Sequence, residues 1–138
     1  MSDILVRYLK DQFLSEVDAM LSYLCHSACE KDPEISSLLE GFSREEMEHA
    51  RLVAAHLAKL GEKPEFLTPD VNADQDLLEF LEAGRLEEQD ALNRYSLILG
   101  LVEEDEAREI YDTIISQEEE HLEAIGDLIQ RIKEKRGG

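Results

Sequence analysis

Apolar residues recur every three or four positions along most of this chain, the period of an amphipathic helix. At ~100° per residue, Leu5, Leu9, Glu16, Tyr23 and Ser27 fall on one stripe, which predicts a first helix from about Ser2, a good N-cap, to about Glu30. Lys31-Asp32-Pro33 reads as a short turn, with Asp32 as the next N-cap and Pro33 in the first helical position. A second helix then runs to about Leu60 and stops at Gly61, with Ile35, Leu39, Glu46, Val53 and Leu57 on its stripe. Glu62 to Ala73 holds Pro64, Pro69, Asp70 and Asn72 and predicts a connection without regular structure. The third helix is expected from about Asp74 to Leu101, with Leu77, Leu81, Glu88, Tyr95 and Leu99 aligned. After a tight turn near Glu103, the fourth runs to about Lys135, with Ala107, Tyr111, Glu118, Ile125 and Ile129 aligned. The tail Arg136-Gly137-Gly138 is expected to fray.

Connection lengths set the expected topology. Short links after the first and third helices predict two antiparallel hairpins. The middle connection of about a dozen residues can span ~40 Å when extended, and a helix of nearly 30 residues is also ~40 Å long. It can therefore cross from one end of a bundle to the other. The expectation is a single all-α domain over residues 1–138: a four-helix bundle with one long crossover between its second and third helices.

Composition agrees and narrows the partners. The 138 residues include 3 Pro, 7 Gly and no Trp, so helix formers dominate. The net charge of −19 argues against nucleic acid or an anionic membrane as partner. Most of the 33 acidic residues form solvated faces, and such a surface also concentrates cations. No apolar run approaches the ~18 residues of a membrane span. Met1 to Lys10 is charged and amphipathic rather than signal-like. Cys25 and Cys29 lie one helical turn apart, where a regular helix does not offer disulfide geometry. A reduced, cytoplasmic setting is the expectation.

The candidate chemistry lies in the middle of the stripes. Glu16, Tyr23, Glu46 and His49 recur as Glu88, Tyr95, Glu118 and His121, each 72 positions later, which points to an internal pseudo-two-fold duplication. Each half supplies one Glu on one helix and a Glu-x-x-His on the next. Burying four carboxylates together is prohibitive unless they are protonated or cations sit among them. The two imidazoles favour cations, and the whole set suits a pair of metal ions. A Glu three residues before a His is a weak signal in so acidic a chain; the shared offset and the buried placement strengthen it. Glu87 competes with Glu88, but only Glu88 keeps the offset. Glu45, Glu48, Glu119 and Glu120 fall off the stripe and are expected in water, and His26 and His56 read as ordinary helix residues. Tyr23 and Tyr95 are either core aromatics or hydrogen-bond donors to the buried carboxylates.

With these residues in view, the chain resembles the bacterioferritin and rubrerythrin group of the ferritin-like di-iron superfamily over nearly its whole length. Glu16-Val-Asp-Ala with Tyr23 is similar to the first ligand helix of that group. Ser43-Arg-Glu-Glu-Met-Glu-His-Ala50 resembles its Glu-Met-x-His helix, and Gln117-Glu-Glu-Glu-His-Leu122 its fourth. The resemblance implies that Glu46 and Glu118 bridge two irons, that Glu16 and Glu88 are terminal carboxylates, and that His49 and His121 each bind one iron. Rubrerythrins carry an extra Glu one turn from the third-helix ligand, where this chain has Arg85 and Ala91, and usually a Cys-x-x-Cys domain that is absent here. Both departures tilt toward the bacterioferritin side. Bacterioferritins also have a short fifth helix that helps close a storage cage; this sequence runs only 17 residues past His121, so the resemblance extends to the site and leaves open whether a cage forms.

The implied function is oxidation of Fe(II) by O2 or peroxide at a di-iron centre, a ferroxidase serving iron storage or detoxification. Carboxylates with imidazole suit iron, and manganese or zinc fit the same ligands. A rubrerythrin-like peroxide reductase and a non-enzymatic iron binding or delivery protein are the alternatives. A homodimer or larger assembly is expected through the outer faces of the first two helices, where Leu14, Leu21, Cys25, Cys29, Met47, Ala54, Ala55 and Ala58 lie; the outer faces of the last two, with Gln89, Asn93, Glu119, Glu123 and Asp127, are more polar. Met47 stands where Glu119 stands in the second half. The resemblance makes it a candidate haem ligand between two subunits; without the resemblance it reads as flexible interface filler.

Overall fold

Asp32 is the first boundary the backbone obeys. Its carboxylate accepts hydrogen bonds from the N–H of Glu34 at 2.9 Å and of Ile35 at 3.4 Å, with Pro33 just inside the helix that follows. The computed structural model describes residues 3–137, in four helices: α1 Asp3–Cys29, α2 Pro33–Lys59, α3 Leu77–Leu101 and α4 Asp105–Gly137. The expected Ser2 cap lies outside the described residues. α2 ends in a Schellman arrangement: the N–H of Glu62 bonds the Leu57 carbonyl at 2.9 Å and that of Gly61 the Ala58 carbonyl at 3.0 Å. The φ of Gly61 is +82°, which is why glycine stands there.

Two boundaries differ from the expectation. α3 begins at Leu77 rather than Asp74, because Asp76 is the cap, accepting from the Glu79 N–H at 3.3 Å. The C-terminal tail does not fray at Arg136. Its guanidinium donates to both Asp76 carboxylate oxygens, at 2.8 and 3.0 Å, and α4 continues to Gly137. That pair holds the Asp76 carboxyl below the usual carboxylate range. Gly138 lies outside the described residues.

The chain forms two compact units, one ending at Ala73 and the other beginning at Asp74. In the first, α1 packs antiparallel on α2. Near the turn, Ser27 and Ser36 exchange hydroxyl-to-carbonyl hydrogen bonds of 2.9 and 2.7 Å. Further in, the Ser43 hydroxyl donates to the Met20 carbonyl at 2.8 Å, and Tyr23 meets Phe42 edge-on at 5.5 Å. Residue numbers fall along α1 as they rise along α2. Residues 62–72 have no helix or strand. In the second unit, α3 packs antiparallel on α4. Arg108 closes their link by donating to the carbonyls of Leu99 and Val102. Tyr95 and Tyr111 pack with ring centres 6.1 Å apart. Arg85 lies against Gly126, where an added Cβ would sit 3.6 Å from the guanidinium.

The stripes of α1 and α2 are buried as expected: Leu5, Leu9, Glu16, Tyr23 and Ser27 on one, Ile35, Leu39, Glu46, Val53 and Leu57 on the other. On α3 and α4, Leu81, Glu88, Tyr95, Tyr111, Glu118, Ile125 and Ile129 are buried, whereas Leu77, Leu99 and Ala107 are only half-buried. Ile98 and Val102 replace Leu99 as core. Positions three and four beyond Tyr95 lie on either side of the stripe, and Ile98, the first of them, is the one fully buried. Exposed apolar residues are not confined to the first hairpin. Leu24 and Met47 are 49% and 55% exposed there, but Leu86 and Leu97 on α3 are 71% and 53% exposed. The expectation of a more polar outer face on the second hairpin is therefore corrected for α3. Among the described residues, no helix is long and apolar enough to cross a membrane.

Candidate metal centre

Each hairpin builds one trio of candidate ligands. In the first, α1 places Glu16 and α2 places Glu46 and His49, which a spacing of three sets on one helix face. Glu46 and His49 are 0% exposed and Glu16 1%. The Nδ1 of His49 lies 3.6 Å from a Glu16 carboxylate oxygen. In the second, α3 places Glu88 and α4 places Glu118 and His121, with exposures of 4%, 0% and 2%. The Nδ1 of His121 again lies 3.6 Å from a Glu88 carboxylate oxygen. The duplication read from the sequence is thus repeated in local geometry.

That geometry fits a cation in each half. Within the trio Glu16, Glu46 and His49, one donor atom from each lies within 4.8 Å of the others, and the same holds for Glu88, Glu118 and His121. A separation of 3.6 Å is too long for a hydrogen bond. It suits two donors that each approach a common ion at ~2 Å. Two carboxylates and a neutral imidazole form a hard, oxygen-rich set, suited to iron, manganese or zinc. Removed from water, two such carboxylates repel each other strongly, and a divalent cation is the compensation that the local chemistry accepts.

Tyr23 and Tyr95 are buried at 2% and 0% exposure, one helical stripe position beyond Glu16 and Glu88. Their rings pack on Phe42 and Tyr111, so the core role is present. Burial pushes the Tyr111 hydroxyl well above the usual tyrosine range and keeps it protonated. Other candidates stay outside. Glu87, Glu119 and Glu120 are exposed and Glu45 is half-buried. Glu48 is exposed and bonded by Arg51 at 2.6 and 3.0 Å, which lowers its pKa. Met47 points away from the ligand face, with more than half its surface exposed. Neither cysteine forms a disulfide. His56 is half-buried. His26 lies on α1, as expected of a helix residue, and is 5% exposed and hydrogen-bonded to the backbone of Asn72 in the connection. Ala91 is buried and Arg85 rests on Gly126, so neither adds a carboxylate near Glu88.

Sequence reasoning missed one buried polar residue on the ligand stripe. Gln12 is 0% exposed, one turn before Glu16 on α1. Its signal was available, since an amide between Leu9 and Glu16 on a core face needs a reason.

Residues 6–135 match the sequence profile of the ferritin-like domain. Solved structures with the same fold include Mycobacterium tuberculosis bacterioferritin, BfrA, with a TM-score of 0.81 and 23% identity over 98% of this chain and 89% of that one. Another is the Desulfovibrio desulfuricans bacterioferritin, described with its diiron site in different catalytic states (TM-score 0.81, 21% identity, 94% of this chain and 80% of that one). A third is Rhodobacter capsulatus bacterioferritin, described with a metal-free dinuclear site and a haem iron (TM-score 0.79, 22% identity, 98% and 88%). At these identities the likeness shows the fold alone. No curated protein matches the chain by sequence.

Proposed function

The chain belongs to the ferritin-like domain family, and from that premise we propose that it is a di-iron protein that oxidises Fe(II) with O2 or peroxide. The observation that carries this reading is the repeated buried Glu–His pair, at 3.6 Å in each hairpin. In this reading Glu16, Glu46 and His49 would hold one ion and Glu88, Glu118 and His121 another, the family resemblance giving Glu46 and Glu118 the bridging role and Glu16 and Glu88 the terminal one. Iron held by these residues would supply one-electron chemistry. The chain supplies the rest. Four carboxylates neutralise the ions and favour the higher charge state over the lower. Burial makes that preference stronger than it is in water. The imidazoles bind in the neutral form, so uptake releases protons and weakens as pH falls. The absence of a carboxylate at Arg85 and Ala91 supports the oxidase over a rubrerythrin-like peroxide reductase.

Self-association through the outer faces of α1 and α2, with Met47 at the contact, belongs to the same reading. Anaerobic titration with Fe(II), followed by a pulse of O2 or of peroxide under stopped flow, tests the function. The expected result is an endpoint of two ions per chain and oxidation faster than the protein-free rate with at least one oxidant. Binding without acceleration by either oxidant would make the protein an iron binder rather than an oxidase.

A further inference from the structure

Ten polar or charged side chains are buried among the described residues, and all but one have an account. Six are the candidate ligands. Ser27 bonds the Ser36 carbonyl, Ser43 bonds the Met20 carbonyl, and His26 bonds the Asn72 backbone. The remaining one is Gln12, on α1, with no exposed surface at all. An amide in an apolar core costs a few kcal/mol unless it is hydrogen-bonded, roughly 1–3 on mutational scales. Leucine would have served the core without that cost.

Gln12 lies four residues before Glu16, and side chains four apart on a helix are neighbours, with Cβ atoms about 5–6 Å apart. Helical side chains also lean toward the N-terminus, which brings the Glu16 carboxylate over the turn that carries Gln12. A Gln amide is long enough to close the remaining gap and donates two N–H groups, which suit a carboxylate acceptor. Seventy-two positions on from Gln12 stands Gly84, which has no side chain to donate. Glu88, the counterpart of Glu16, is also the more exposed of the two, at 4% against 1%.

We infer that Gln12 is a positioning residue that holds the Glu16 carboxylate for its ion, and that it makes the metal position on the α1–α2 hairpin tighter than its duplicate on α3–α4. The inference rests on the dinuclear reading above and adds to it that the two ions are held unequally. A hydrogen bond to one carboxylate oxygen fixes the side-chain rotamer before the ion arrives and leaves the other oxygen for the metal. Loss of a partner of this kind lowers metal affinity by roughly 10–100-fold.

The test is a titration of metal-free protein with Co(II), read by visible absorption and equilibrium dialysis. Wild type should bind two ions per chain in two distinguishable steps. Gln12→Met, an apolar side chain of similar volume, should weaken the tighter step by about 10–100-fold and shift its absorption bands, leaving the weaker step in place. Glu16→Ala should abolish the same step, which assigns it to the α1–α2 half. Gln12→Leu repeats the measurement if the Met variant fails to reach wild-type helical content. Folded Gln12 variants with both steps unchanged, or with both weakened equally, would overturn the positioning role and leave the dinuclear reading standing. Wild type that binds no pair of ions would overturn both. If neither variant folds, Gln12 is structural and the inference falls.

Discussion

Glu46→Gln should stabilise the metal-free protein and remove most of what metal adds. Glu46 is fully buried, and its carboxylate shares a 4.8 Å neighbourhood with donors of Glu16 and His49. Without a cation, two carboxylates so placed either repel or must take up a proton, and both alternatives cost stability. Gln keeps the shape, removes the charge, and offers an N–H to the remaining carboxylate. Replacing buried ionic groups by neutral ones of similar volume is often stabilising by about 1–4 kcal/mol. For a domain of this size each kcal/mol moves Tm by roughly 2–4 °C. The expected rise in chelator is therefore about 2–16 °C. Wild type should gain in the other direction: an ion at 100 times its Kd contributes about 2.7 kcal/mol, so two contribute ~5 kcal/mol, or very roughly 10–20 °C. The assay is thermal unfolding by circular dichroism of both proteins, in chelator and in excess anaerobic Fe(II) or Co(II). The two proteins should change rank between the two conditions. A variant that melts lower than wild type in chelator and still gains the full metal increment would refute the reasoning, because Glu46 would then be a structural residue.

His26 predicts a loss of stability in mild acid. Burial lowers its pKa below 6.5, against opposing effects from the Asn72 backbone bond and the Glu30 charge. A lowered folded value means that the unfolded chain binds the proton more tightly. The contribution of the neutral imidazole is thus complete above pH ~6.5 and is lost as pH falls through the folded value. His26→Ile, which copies Ile98 of the second half, should show a smaller drop in Tm between pH 7.5 and 5.0 than wild type; equal drops would count against it. Asp76→Ala removes both the α3 cap and the Arg136 clasp, so amide exchange should accelerate in the first turn of α3 and the last turn of α4 together. Acceleration at only one end would show that the clasp does not hold in solution. Met47→Glu, which copies Glu119 of the second half, should weaken self-association measured by light scattering at micromolar concentration. A wild-type monomer there would refute the α1–α2 interface. Haemin reconstitution of the same variant, with a Soret shift that depends on Met47, would identify the thioether as a haem ligand rather than packing.

Much of this molecule was legible because its signals are redundant. Asp32, Pro33 and Gly61 each report one backbone boundary through their own chemistry, and the structure uses all three. The buried Glu and His trios were legible for a different reason. A carboxylate in the middle of an apolar stripe conflicts with the stripe, and the conflict occurs on four helices at a common offset. What escaped was whatever depends on competition between near-equivalent positions. Asp74 and Asp76 can both cap a helix, and only the backbone path decides for Asp76. Ile98 and Leu99 lie on either side of the α3 stripe, and packing selects Ile98. Arg136 looked like a tail residue because its partner lies 60 positions away in sequence, capping the other helix at the open end of the same hairpin. Gln12 escaped because attention to the repeat favours residues that have a mate, and its importance lies in having none. An internal duplication shows first what both halves need; the positions where one half departs from the other, Gln12 against Gly84, His26 against Ile98 and Met47 against Glu119, are where the chain has been free to make two similar halves do different work.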